Sequence, residues 1–154
     1  MLSDKEYVKP LSVLLVEDHD ADIELTREAF EDARILVNMG VGRDGEEAMR
    51  LVQAVAEGKR EWPDLILLDL NLPKIDGLEV LKFVKSHQTL RTIPVVILTS
   101  SRSPKDIGSA YAEYANSVIS KPLDPVEFLR IVQGLKDYWV TIVRLPKYQG
   151  DLRP

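Results

Sequence analysis

DLILLDLNLPKIDG, residues 64–77, holds an unbroken apolar run, Leu65–Leu68, that ends in one carboxylate, Asp69, followed by Asn71, Pro73 and Gly77. A run that short and continuous, with Pro63 before it and Pro73 after it, reads as a strand buried on both faces. Asp69 then stands at the carboxyl end of the strand. In open parallel sheets the loops leaving that end form a crevice, and ligands and chemistry collect there. A lone aspartate at a strand end is commonly just a cap for the next turn, so the weight of the reading rests on what else the chain brings to the same edge.

The chain has 154 residues, 45% hydrophobic and 29% charged, which is enough for one well-buried domain and too few for two. A single domain is expected over residues 10–146, ending in a helical extension, with residues 1–9 and 147–154 loosely held. A net charge of -5 argues against nucleic-acid binding by the chain's own field, which needs clustered Lys and Arg. With no cysteine, neither a disulfide framework nor a thiolate metal site is possible. No stretch of about twenty apolar residues exists to suggest a membrane span. A cytoplasmic protein is the default expectation.

Strand-like and helix-like periods alternate along the chain. Leu11–Val16 is a first apolar strand, and Leu25, Ala29, Phe30 and Ala33 recur at helical spacing over residues 21–33. A weaker apolar stretch, residues 35–41, precedes Asp44, a candidate N-cap for a helix carrying Ala48, Leu51, Val52 and Val55 and closed by Gly58. Beyond the Asp69 strand, Leu78, Val80, Leu81, Phe83 and Val84 mark a third helix, and residues 95–98 a fourth strand. Beyond Ser103 and Pro104, a cap followed by proline at the first helical position, Ile107, Ala110, Tyr111 and Tyr114 form a fourth, less apolar helix. Ser117–Ser120 is a short fifth strand, and a last helix from Asp124 and Pro125 carries Phe128, Ile131, Val132 and Leu135 inward. The expected fold is α/β, a doubly wound five-stranded parallel sheet of flavodoxin-like order 2-1-3-4-5 with helices on both faces.

The strand tips can then be compared. The first strand ends in Glu17 and Asp18, the third in Asp69, the fourth in Thr99 and the fifth in Lys121. Three carboxylates in one crevice would repel and raise one another's pKa values unless a cation sat among them. Hard oxygen donors without His or Cys suit Mg²⁺, which prefers one or two carboxylates and a phosphoryl oxygen. Asp69 is thus a candidate nucleophile toward phosphorus, and Lys121 an ammonium that neutralises phosphoryl charge. Thr99 can donate to a phosphoryl oxygen, and the Asn71 carbonyl can complete the metal site.

Glu17-Asp18, Asp69 with Pro73 and Gly77, Thr99 at the end of VVILTS and Lys121-Pro122 together resemble the receiver domain of bacterial two-component response regulators. The likeness covers about residues 11–134. It implies that Asp69 accepts phosphate from a histidine kinase, that Glu17 and Asp18 organise Mg²⁺, that Thr99 moves to meet the phosphoryl group and that Lys121 contacts it. It also implies a phosphoacceptor that assists its own phosphorylation and dephosphorylation, a single-domain regulator, and a cis Lys121–Pro122 peptide. The ending GLKDYWVTIVRLP, the opening EDHDAD and the polar residues 57–62 are similar to small regulators paired with bacterial and cyanobacterial phytochromes. One departure is Val118, where the family often has an aromatic that rotates inward as the threonine moves. Asn71 and Ser101 hold positions that influence acyl-phosphate lifetime in this family.

Tyr138, Trp139, Ile142, Val143 and Leu145 follow the last helix, an apolar group with interleaved Lys136, Asp137 and Arg144. Such a pattern resembles an interface core with a polar rim, and a homodimer built on it is expected. Three other classes compete. A flavodoxin-type carrier is opposed by EDHDAD, which would repel a flavin phosphate. A haloacid-dehalogenase-type phosphatase is opposed by Asn71, where that family has a second aspartate. A docking module that is never phosphorylated is opposed by the presence of every phosphorylation residue. His19 and His87 read as solvent-side bystanders.

Overall fold

The computed structural model describes residues 10–101, 103–121 and 124–135. Its elements alternate as β1 Leu11–Val16, α1 Asp20–Asp32, β2 Val37–Gly42, α2 Gly45–Ala56, β3 Leu65–Leu68, α3 Gly77–Ser86, β4 Val95–Thr99, α4 Pro104–Ala112, β5 Ser117–Ser120 and α5 Pro125–Leu135. A 3₁₀ turn, Leu90–Thr92, precedes β4. All strand pairs are parallel, in the order β2-β1-β3-β4-β5.

β3 is apolar at every position, and β1 and β4 at all but Ser12 and Thr99, because each face meets its own layer of helices. Leu14, Val16, Ile66, Leu68, Val95 and Ile97 face Ala48, Val52 and Val55 of α2 and Val80, Leu81 and Val84 of α3. The alternate residues Val13, Leu15, Leu65, Leu67, Val96 and Leu98 face Ile23, Ala29 and Phe30 of α1 and Phe128 and Val132 of α5. Fully burying one such side chain is worth roughly 1.5–3 kcal/mol. This double burial also prevents a one-residue slip of register, since every side chain would change layers.

The helix starts follow the expected chemistry. Asp44 accepts from the Glu47 N–H at 2.8 Å, and Ser103 caps α4 with Pro104 in its first turn. The helix ends were less legible. Three helices close with a residue at positive φ and a bond reaching back five residues: Ile35 to Phe30, Lys59 to Ala54 and Ala115 to Ala110. The left-handed residues are Arg34, Gly58 and Tyr114. Only Gly58 announces itself in the sequence.

Two expectations are corrected by these caps. The first helix stops at Asp32, and the chain turns through Arg34, so β2 begins at Val37 rather than at residue 35. The fourth helix ends at Ala112, so Tyr114 lies beyond it at positive φ and is 75% exposed; of the helix's own residues only Ala110 is buried, and Tyr111 is 48% exposed. Ile131 and Leu135 are half-buried beside the fully buried Phe128 and Val132. Among the described residues no helix is long and apolar enough to cross a membrane.

Candidate functional site

Asp69 is held where β3 stops. Its N–H donates to the Val16 carbonyl at 3.0 Å, extending the β1–β3 ladder by one bond, and the chain then leaves the sheet. Two glycines fix the loop that follows. A Cβ on Gly77 would collide with the Asp69 carbonyl oxygen and Leu70 Cα, and one on Gly45 with the Ile75 carbonyl group. Gly77 N–H donates to Leu70 and Gly45 N–H to Pro73, so the starts of α3 and α2 clasp the loop from both sides. The Gly77 of the opening motif is there to let α3 approach the backbone of the Asp69 turn.

The neighbouring strands end at the same level. Glu17 follows β1 and donates its N–H to Gly42 at 2.9 Å. Lys121 follows β5, and its N–H donates to the Thr99 carbonyl at 2.8 Å. Thr99 is fully buried, and its Oγ1 accepts from the Ser101 N–H at 3.1 Å. Ser101 in turn donates its hydroxyl to Asp106 at 2.6 Å, tying the β4 tip to the first turn of α4.

The side chains converge on one ammonium. Lys121 Nζ donates to Glu17 Oε1 at 2.6 Å, to Asp22 Oδ2 at 2.9 Å and to Asp69 Oδ2 at 3.1 Å. The second oxygen of Asp69 accepts from the Asn71 N–H at 3.0 Å. Burial works against the charge on Lys121, but its carboxylate neighbours outweigh that cost and its pKa is raised. For Glu17 burial prevails: its carboxyl is pushed above the usual range although Lys121 pulls the other way. Glu17, Asp69 and Lys121 are each below a tenth exposed, so water screens them little.

The site also fits a divalent cation. Glu17, Asp18 and Asp69 each present a carboxylate oxygen, all within 4.8 Å of one another. Hard oxygen donors without imidazole or thiolate match Mg²⁺ or a similar ion. Asp18 is exposed and the other two are buried, so the site opens to solvent on one side.

Four of the expected site residues, Glu17, Asp18, Asp69 and Lys121, are therefore brought together, with Thr99 on the same sheet edge and Asn71 bonded to Asp69. Asp22 escaped the sequence reading; the signal for it was its place one helical turn beyond Asp18 in EDHDAD. The bystander reading of His87 is corrected: its Nδ1 accepts from the N–H groups of Thr89 and Leu90 at 3.2 and 3.3 Å, capping the 3₁₀ turn. At the departure, Val118, the outward N–H of this edge strand donates to the Tyr111 hydroxyl at 3.0 Å. The expected interface residues Tyr138, Trp139, Ile142, Val143 and Leu145, and the Lys121–Pro122 peptide, lie outside the described residues.

Residues 13–133 match the model of the response regulator receiver domain. The chain is 41% identical to the probable methanogenesis regulatory protein FilR2 of Methanothrix harundinacea, over 89% of this chain and 88% of that one. It is 39% identical to the response regulator Rcp1 of Synechocystis, over 89% and 94% of the two chains. The structure of the Mn²⁺-bound form of Rcp1 superposes with a TM-score of 0.80, covering 89% of this chain and 99% of that one. The phosphorylated cyanobacterial phytochrome response regulator RcpA superposes with a TM-score of 0.78 at 40% identity, covering 90% and 99%. With this sheet order and this acidic crevice, the chain belongs to the response regulator receiver domain family, phosphoacceptor modules of two-component signalling that are served by histidine kinases.

Proposed function

We propose that Asp69 is the phosphoacceptor and that this chain takes its phosphoryl group from a phytochrome-type histidine kinase in the cytoplasm, with Mg²⁺ as the working ion. The observation that carries the reading is the double environment of one buried carboxylate. Asp69 shares an ammonium with Glu17 and lies within metal-binding range of Glu17 and Asp18. A carboxylate oxygen of Asp69 attacks phosphorus, the bond from phosphorus to the donor's histidine nitrogen breaks, and that nitrogen keeps the electron pair. A divalent cation on Glu17, Asp18, Asp69 and the Asn71 carbonyl would neutralise charge that carboxylates and phosphoryl oxygens bring together. Lys121 supplies the second positive charge, and Thr99, at the neighbouring tip, the hydroxyl that meets the phosphoryl group.

The phytochrome assignment rests on the likeness to RcpA and on the GLKDYWVTIVRLP ending. The phosphatase alternative is disfavoured by Asn71, whose N–H is committed to Asp69 Oδ1 and whose side chain is no acid. Incubation with acetyl phosphate and Mg²⁺ should add one phosphoryl mass to the protein, lost on mild alkaline treatment and absent in Asp69→Asn. Label that survives in Asp69→Asn removes the assignment. Transfer from a purified phytochrome kinase, against a panel of other histidine kinases, tests the partner separately.

A further inference from the structure

An ammonium has three N–H donors. In Lys121 all three are committed, to Glu17, Asp22 and Asp69. The three acceptors are not equivalent. Glu17 and Asp69 are buried and belong to the carboxylate triad suited to a cation. Asp22 stands in the first turn of α1, its side chain is 30% exposed, and it is not part of that triad. Its one hydrogen bond to the cluster runs through Lys121, 99 residues away in the chain.

Phosphorylation of Asp69 changes what the ammonium faces. Acyl-phosphate formation removes the negative charge of the Asp69 carboxylate and frees the N–H it held, and a second N–H for the phosphoryl oxygens has to be withdrawn from Glu17 or Asp22. The acceptor cheapest to release is the one that water can solvate, which is Asp22. From this geometry, and on the reading of Asp69 as phosphoacceptor, we infer that Asp22 is a positioning residue. It holds the third N–H of Lys121 in the unphosphorylated protein and so opposes engagement of the phosphoryl group. Asp22 therefore biases the chain toward its resting state by competition for one donor.

The test is beryllofluoride affinity with Mg²⁺, by calorimetric titration of four proteins. Asp22→Ala should bind about fivefold tighter than wild type, the scale of one partly solvated ion pair released from competition. Asp22→Glu, which restores a carboxylate, should bind like wild type. Asp20→Ala removes the same charge from the same turn but from a residue paired with Arg43, and should also bind like wild type. Equal tightening in Asp20→Ala and Asp22→Ala would make the effect general electrostatics and overturn the inference. So would unchanged or weaker binding by Asp22→Ala while the wild type binds normally, an outcome that leaves the Asp69 reading intact. If the wild type itself takes up no beryllofluoride, the Asp69 reading fails and the role of Asp22 falls with it.

Discussion

Lys121 reaches Asp69 from the far side of β4: its ammonium, at the tip of β5, lies 3.1 Å from Asp69 Oδ2 at the tip of β3. The same ammonium sits 2.6 Å from Glu17, beyond β3 at the tip of β1. One cation thus spans the carboxyl edge of the sheet and offsets part of the charge of two buried carboxylates. The resting site is built around an internal counter-ion, and its consequences can be measured.

Replacing Lys121 with Met should destabilise the fold at neutral pH by about 3–5 kcal/mol, because breaking a buried ion pair leaves uncompensated charge. Millimolar Mg²⁺ should recover part of the loss, since a cation on the same carboxylates replaces the missing one. Urea denaturation with and without Mg²⁺ measures both effects. A loss that Mg²⁺ leaves untouched would separate the carboxylates from the metal site.

Asp18 is the exposed member of the triad. Asp18→Ala should leave stability within about 0.5 kcal/mol of wild type, since it removes only a solvated member of a repelling cluster. It should also abolish the Mg²⁺ dependence of beryllofluoride uptake. Thermal unfolding checks the first outcome and fluoride-titrated binding the second; a variant unfolded at neutral pH would contradict the reading.

Lys85 gives a prediction remote from the site. Its Nζ donates to the carbonyls of Arg91 and Ile93 and to Asn116 Oδ1, at 3.2, 2.8 and 3.1 Å, pinning the approach to β4. All three acceptors are neutral, and burial lowers its pKa to about 8. Between there and the unfolded value of about 10.5 the unfolded chain binds more protons, so stability rises with pH. The penalty is present below pH 8 and is relieved toward pH 10.5. Because the group is partly exposed, the gain relative to Lys85→Met should be no more than about 1 kcal/mol. Paired urea titrations at pH 7.5 and pH 10 read the difference; a wild type that loses stability relative to Lys85→Met as pH rises would reverse the sign and refute it.

The apolar group at Tyr138, Trp139, Ile142, Val143 and Leu145 supports the proposal of a homodimer. Sedimentation at micromolar concentration should return the dimer mass, and Trp139→Glu should return the monomer mass with phosphorylation at Asp69 preserved. Monomeric wild type, with and without beryllofluoride, would sink the proposal.

Strand and helix identities were legible in the chain because burial on two faces demands continuous apolar runs, and the residues at the strand tips announced a phosphoryl-transfer edge. Asp69, Glu17, Asp18 and Lys121 could be named from residue type and order alone. Three things could not. The helix ends at Arg34 and Tyr114 use a left-handed turn without glycine, so no residue marks them. The reason for Gly77 is a backbone approach between segments that only the folded loop brings together. The role of Asp22 depends on a hydrogen bond across 99 residues. Residue type and periodicity act locally and survive in one dimension. Which acceptors share one ammonium depends on how α1 and β5 are placed in space, and packing of the two helical layers against the sheet decided that.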